Sequence, residues 1–309
     1  GMQVTLPSLR EPSASLSGGQ RQSIAVVRAA TWAQRLVFMD EPTAALGVAL
    51  FKLLINLFTQ VFGTLAAWAS PLGPLALVLM PVLGGLLVAL IAHYWIGHER
   101  HHGVAGIIES VALAGGRLRY WRVPAKVLGS ALSIGSGAAV GPEDPSVQIG
   151  SNLGSAVGQL LRMTDDRTRV LVAAGAAAGV AAAFNAPIAG VFFAIEIVLG
   201  ELSANALGVV LLAAVISAAT TQAIAGPDPA FSVPLYQSHA PVELPLYLGL
   251  GLLAGPVAAL YIRLLYAAQD LFGGLRLPFW ARPMLAGAVV GIIGLFLPQV
   301  LGVGYPTIE

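Results

Sequence analysis

Residues 175–190 read Gly-Ala-Ala-Ala-Gly-Val-Ala-Ala-Ala-Phe-Asn-Ala-Pro-Ile-Ala-Gly, and they lie inside an uncharged run from 170 to 195. At about 1.5 Å per helical residue, such a run can cross the roughly 30 Å of hydrocarbon in a bilayer. The Phe184-Asn-Ala-Pro187 segment interrupts it with a proline. Non-helical backbone at membrane depth is tolerated only where protein buries it or water reaches it. The run therefore predicts a broken membrane helix.

The rest of the chain is also apolar. Of 309 residues, 57% are hydrophobic and 10% charged, and the mean hydropathy is +0.81. Because a soluble domain usually carries about 25% charged residues, ordinary soluble enzymes are excluded. The absence of cysteine excludes disulfides and thiolate catalysis, and a net charge of +1 gives no bulk attraction to nucleic acid. Further uncharged runs predict membrane segments at 53–98, 202–227, 244–262 and 283–308.

Two shorter uncharged runs, 127–142 and 145–161, meet at the Gly- and Pro-rich segment 135–145. Cytoplasmic flanks of membrane helices collect Lys and Arg, and basic residues flank this pair on both outer sides. We therefore expect the pair to enter from the cytoplasmic face and return to it, with its break at membrane depth. The Pro-rich stretch 226–243 has no Lys or Arg and is expected to be an external loop. The flanking residues are Arg117, Arg119, Arg122, Lys126, Arg162, Arg167 and Arg169.

Glu143 and Asp144 follow Gly141-Pro142 and are predicted to open a helix, since proline and carboxylates are typical of a first turn. A helix N-terminus presents unpaired N–H groups and about half a positive charge, which attract an anion. A tethered carboxylate there competes with a free anion until protonation or an arriving anion displaces it. The alternative is ordinary capping. A charge at membrane depth costs about 2.5–3.5 kcal/mol, which favours a functional gate.

The motifs resemble those of the ClC family of chloride channels and chloride/proton exchangers. Residues 141–150, GPEDPSVQIG, resemble the family pattern G-K/R-E-G-P-x-V-Q-I-G, and residues 175–190 match its G-A-A-A-G-x-A-A-A-F-N-A-P-x-A-G run. Residues 102–105 resemble a weaker form of its G-S-G-I-P stretch. The resemblance covers about 48–309 and implies an all-α multi-pass membrane protein with broken, re-entrant helices. The family's inverted repeat is expected to be incomplete, truncated at the C-terminus.

The resemblance also implies roles for particular residues. Glu143 would be the gating glutamate, and the backbone N–H groups around Gly141–Pro145 and His102–Val104 would face the anion. Pro142 and Asp144 replace the family's usual basic residue and glycine, so we expect weaker external attraction of anions. The implied anion-binding residues are His102, Gly103, Val104, Gly141, Pro142, Glu143, Asp144 and Pro145.

The internal glutamate that transfers protons in exchangers of this family would fall directly after Glu196, where this sequence has Ile197. Passive channels of the family also have an aliphatic residue there, so the resemblance favours uncoupled, voltage- or anion-gated chloride conduction. A one-residue helix shift would instead leave Glu196 as a proton relay, and a third interpretation is a buried carboxylate bonded to backbone. The resemblance implies a homodimer in the bilayer, with one path per subunit. We expect the plasma (inner) membrane, a cytoplasmic N-terminus, and no cofactor beside the transported chloride.

The first 47 residues have a different character. Ser15-Leu-Ser-Gly-Gly-Gln-Arg-Gln22, followed by LVFMDEPTAAL at 36–46, resembles the signature and Walker B motifs of ATP-binding-cassette ATPases, especially those of sugar importers. In that family, the positions of Ser17, Gly18, Gly19 and Gln20 form the signature loop that binds the γ-phosphate, Asp40 holds Mg²⁺ through water, and Glu41 polarises the attacking water.

The phosphate-binding G-x-x-x-x-G-K-[ST] loop is absent, because neither Lys52 nor Lys126 lies in that setting. We therefore expect no ATPase or other enzyme activity. The prediction is a small α/β remnant at 1–47, with a strand at 36–39, followed by a membrane domain at 48–309. The alternatives are an ATP-binding component of a transporter and a non-functional gene fusion.

A histidine group near the end of one membrane run invites a metal interpretation. Only Glu99 adds a carboxylate, so we expect no metal site and favour interface or anion-path residues. The histidines are His93, His98, His101 and His102.

Overall fold

The computed structural model describes residues 18–97, 103–201, 203–228 and 243–304, with backbone alone for 18–41, 204, 205 and 243. Every regular element in these ranges is helical, which confirms the predicted all-α class. The α-helices are α1 (Gly18–Trp68), α2 (Leu75–Ile91), α3 (Gly103–Leu113), α4 (Val123–Gly135), α5 (Glu143–Leu160), α6 (Asp165–Phe184), α7 (Pro187–Phe193), α8 (Ala204–Ala225), α9 (Glu243–Gly274) and α10 (Ala281–Phe296). Single π-helical turns extend α2 over Ala92–Ile96 and α7 over Ala194–Leu199.

Helix α1 continues without interruption from Gly18 to Trp68, so the strand predicted at 36–39 is wrong. A lone strand leaves its N–H and C=O groups unpaired, and the described ranges contain no second strand beside it. A helix satisfies those groups within itself. The predicted boundary between 47 and 48 falls inside α1, and the division into two domains stays a prediction.

The described structure does not test the nucleotide-binding roles predicted for the cassette-like motif residues. Ser17 lies outside the described residues. The others lie in α1, where only their backbone is described: Gly18, Gly19, Gln20, Asp40 and Glu41.

Within the described residues, five helices are long and apolar enough to cross a membrane. The run 53–98 divides between two of them, because a turn containing Pro71 and Gly73 (φ +60°) separates α1 from α2. The described part of the run 283–308 contributes the 16-residue α10 and a short 3-10 turn at Pro298–Val300. The five spans are Pro42–Trp68, Leu75–Ile96, Asp165–Phe184, Ala206–Ala225 and Leu244–Gly274.

Both predicted helix breaks are confirmed. Helix α4 ends at Gly135 and α5 begins at Glu143, with non-helical backbone between them. Helix α6 ends at Phe184, and Asn185 adopts the left-handed conformation (φ +54°) before α7 starts. The Asn185 side chain donates a 2.9 Å bond to Pro227 O, so the break lies beside the end of α8.

The two outer ends of the α4–α5 pair lie on the same face of the molecule. Arg117, before α4, forms a 3.0 Å ion pair with Asp165, at the start of α6. Ser155 Oγ of α5 donates to Gly116 O at 2.6 Å and accepts from the Leu118 N–H at 2.8 Å. These contacts agree with a pair that enters and leaves from one side.

Helix α6 lies at the centre and packs against α1, α5, α7 and α8. Its contact with α5 uses glycines on both helices. A Cβ at Gly150 would overlap Gly175 O, and a Cβ at Gly175 would overlap Gly150 O. Small residues allow such close backbone approach in membrane helices. This packing fixes the position of α5, and with it the position of Glu143 and Asp144.

Candidate anion-binding site

The candidate site lies where the N-termini of α3 and α5 come together. Helix α5 starts after Gly141-Pro142, and its first turn carries Glu143 and Asp144, as predicted. Helix α3 starts at Gly103, whose φ of +71° is one that glycine adopts without strain. The N–H groups of a first turn have no partner within their own helix. Two sets of such donors therefore lie close together.

The Asp144 carboxylate bridges the two helices. Its Oδ1 accepts the Val104 N–H at 2.7 Å, and its Oδ2 accepts Gln148 Nε2 at 2.6 Å. A Cβ at Gly103 would lie 2.6 Å from Oδ1 and 2.9 Å from Oδ2. Val104, predicted to present its N–H to a free anion, thus donates it to a carboxylate of the same chain.

Glu143 takes a different direction. Its carboxylate folds back over Gly141, where a Cβ would overlap Oε2. The side chain is half-buried. Glu143 therefore lies over the residues that precede α5, while its neighbour Asp144 reaches to α3.

The turn beneath the two carboxylates is rigidly packed. Pro145 and Ser146 are buried, and Ser146 donates both its N–H, at 3.1 Å, and its Oγ, at 2.7 Å, to Pro142 O. Pro142 is itself buried. The predicted residues 141–145 thus form one connected turn, joined to Gly103 and Val104 through Asp144.

Lys126 also lies near this site, although the sequence did not predict it there. It lies on α4 and lines a shallow depression together with Pro145 and Gln148 of α5. Lys126 thus brings a basic residue beside the first turns of α5, although Pro142 has replaced the basic residue expected within the motif. The signal available in the sequence was the scarcity of lysine, since Lys52 and Lys126 are the only two.

Glu196 and Ile197 lie in the π-helical turn after α7 and not at the α3–α5 junction. This turn packs on the body of α3, where its buried Ile195 and Val198 join a cluster that contains Ile107. Glu196 and Ile197 are both exposed in the described structure, Ile197 by 44%. The interpretation of Glu196 as a buried carboxylate is therefore wrong for this structure.

The histidines do not form a cluster within the described residues. His93 stacks on Phe279 with ring centroids 4.0 Å apart, at the end of α2. Among the described residues, no three His, Cys, Asp or Glu side chains group in a way that could hold a metal ion. His98, His101 and His102 lie outside the described residues, so the anion-binding role predicted for His102 stays a prediction.

Comparison with known proteins identifies a family for most of the chain. A family model described as voltage gated chloride channel matches residues 84–309, more than half of the chain. The match begins within α2, so it lends no support to an ATP-binding role for the first 47 residues.

Two relatives carry different transport names. The chain is 34% identical over 252 residues to chloride channel protein CLC-f of Arabidopsis thaliana, which covers 75% of this chain and 31% of that protein. It is 34% identical over 245 residues to the H⁺/Cl⁻ exchange transporter ClcA of Vibrio parahaemolyticus, covering 76% and 52%. The chain thus spans about a third to a half of the length of these relatives.

A solved structure agrees with the fold. The crystal structure of a slow cyanobacterial Cl⁻/H⁺ antiporter superposes with a TM-score of 0.74 at 27% identity, over 87% of this chain and 64% of that one. The family match, the relatives and the solved structure thus agree on one family and one fold. The chain belongs to the voltage-gated chloride channel (ClC) family.

Proposed function

We propose that this chain conducts chloride or a similar small anion passively across a lipid bilayer, and that Glu143 is the gate. The family and the membrane-length helices support transport across a bilayer. By analogy with the family, the working unit is a homodimer with one path per subunit, in the plasma (inner) membrane, with the N-terminus in the cytoplasm. Chloride is the transported ligand, and the proposal needs no cofactor.

The observation that carries the proposal is the position of the Glu143 carboxylate at the start of α5, over Gly141. A helix N-terminus attracts negative charge, and in a low-dielectric surrounding the attraction is stronger than in water. A tethered carboxylate and a free anion compete for the same electrostatic environment. Neutralising Glu143 removes the tethered competitor, which is the behaviour of a gate.

The test is chloride efflux from liposomes that contain the purified chain. We expect Glu143→Gln to change the rate severalfold, since it removes the charge and retains the shape of the side chain. Asp166→Asn is the matched control, because Asp166 is an exposed carboxylate in the first turn of another helix, α6. Equal rates in wild type and Glu143→Gln would refute the gate, and absent efflux in both would refute conduction.

Proton-coupled exchange is the second candidate, because an H⁺/Cl⁻ exchanger is among the relatives and Glu196 lies beside Ile197. The proposal favours uncoupled conduction, since Ile197 has no ionisable group. We expect chloride efflux to cause no proton uptake beyond that driven by the membrane potential. A fixed ratio of protons to chloride that is lost in Glu196→Gln would establish exchange instead.

A further inference from the structure

Asp144 does not behave like an ordinary carboxylate in a helix first turn. Such a carboxylate usually serves the N–H groups of its own helix. Asp144 instead accepts the Val104 N–H of α3 at 2.7 Å, across 40 residues of sequence. Gln148, one turn along α5, holds the second oxygen at 2.6 Å. The carboxylate is thus fixed at both oxygens.

The contact surface at Gly103 is shaped to admit this carboxylate. Any Cβ there would lie 2.6 Å from one Asp144 oxygen and 2.9 Å from the other, closer than such atoms pack. The φ of Gly103, +71°, also disfavours other residues. The start of α3 therefore accommodates an anionic group in direct contact with its backbone, and Asp144 supplies that group.

We propose that Asp144 is a second tethered anion that occupies the start of α3 and lowers the affinity of the path for free anions. This inference rests on the proposed function, because it concerns the same path. Glu143 and Asp144 then act at different helix ends. Glu143 lies at the start of α5, and Asp144 offsets the partial positive charge at the start of α3. A free anion that approaches α3 meets an N–H already donated and a negative charge beside it.

The physical reason is competition for both hydrogen bonds and charge. Hydrogen bonds from N–H groups to a carboxylate are among the stronger ones in proteins. Like charges within a few ångströms disfavour each other, and a low dielectric strengthens the repulsion. Asp144 is therefore a specificity-determining residue that sets how much anion is needed to fill the path.

A purely structural role is the competing explanation, in which Asp144 only fastens α3 to α5. Asp144→Asn separates the two explanations. The asparagine Oδ1 can still accept the Val104 N–H, and its amide can bond Gln148 after that side chain flips. The fastening is retained and only the charge is lost. Asp144→Gly removes both.

The experiment measures chloride binding by isothermal titration calorimetry on the full chain in detergent, exchanged beforehand into a chloride-free buffer. We expect Asp144→Asn to bind chloride about tenfold more tightly than wild type, the effect of removing one competing charge at a helix end. Asp144→Gly should also bind more tightly. Asp166→Asn, an exposed first-turn carboxylate of α6, should leave the affinity unchanged.

Equal affinities in wild type and Asp144→Asn overturn the inference, and so does the absence of detectable binding in both. If liposomes with the wild-type chain still conduct chloride in that case, the proposed function is retained and only the role of Asp144 is rejected. Tighter binding in Asp144→Asn together with no efflux from any liposome has the opposite meaning. It supports the role of Asp144 as a competing anion and refutes conduction.

Discussion

Lys52 belongs to helix α1, yet its ammonium group bonds the end of α6. Its Nζ donates to Ala183 O at 2.9 Å and lies 3.4 Å from Ala182 O, two carbonyls at the helix end that lack partners within α6. Lys52→Met keeps the length of the side chain and removes the donor. We expect the free energy of unfolding in detergent to fall by about 1–3 kcal/mol. Circular dichroism during denaturation measures this change. Gln60→Leu, exposed on the same helix, is the control. A loss no larger than that of the control would show that this bond does not stabilise the chain.

Single residues also show where sequence patterns stop being informative. Glu143 and Asp144 could both be placed in a helix first turn, because proline and carboxylates together are a local signal. That Asp144 would bond Val104 could not be predicted, since the partner is a backbone N–H on another helix. Lys126 was missed for the same reason: its neighbours Pro145 and Gln148 are set by the packing of α4 on α5.

At the scale of helices, the α5–α6 contact depends on backbone proximity. A Cβ at Gly150 would overlap Gly175 O, so Gly150→Ala must push α5 away from α6. We expect a loss of about 1–3 kcal/mol in the free energy of unfolding, the usual effect of overpacking. Gly208→Ala is the matched control, because it lies within α8 with no neighbouring atom within 4 Å of its Cβ position. It should be neutral or stabilising by up to about 1 kcal/mol, because alanine favours the helix. Similar losses in both variants would contradict the close contact.

The sequence predicts helix positions correctly where the signal comes from the local residues. The prediction fails where it was taken from a motif of another family. The breaks at 136–142 and at Asn185 were predicted from proline and glycine, which restrict or free the backbone directly. The strand at 36–39 was inferred from a motif, and it is helical because a strand needs a neighbour to pair with. Helix α3 was not predicted as a helix, because the sequence of residues 98–103 contains no Ser, Thr, Asp or Asn, the residues that typically mark a helix start.

At the scale of the whole molecule, the membrane class followed from one physical constraint. Lipid offers no partners to backbone N–H and C=O groups, so a charge-poor chain with long apolar runs must be helical in the bilayer. The relative positions of the helices depend on close contacts that composition does not encode. Pro81 is an example: a Cβ at Gly287 would overlap its carbonyl oxygen, which brings α10 against α2.

The absence of cysteine makes the topology of the whole chain directly testable. Helix α6 has 20 residues and is therefore about 30 Å long, so we expect its two ends to lie towards opposite faces of a bilayer. The Arg117–Asp165 ion pair places the loop before α4 at the first end, and the Asn185–Pro227 bond places the end of α8 at the second. Single substitutions Arg119→Cys and Arg167→Cys should therefore react with a membrane-impermeant maleimide from one side only. Asp228→Cys should react from the other side only. Whichever of the two preparations, intact cells or inverted vesicles, labels Arg119→Cys and Arg167→Cys should therefore leave Asp228→Cys unlabelled. Labelling of Arg119→Cys and Arg167→Cys from opposite sides would mean that the α4–α5 pair crosses the membrane instead of returning.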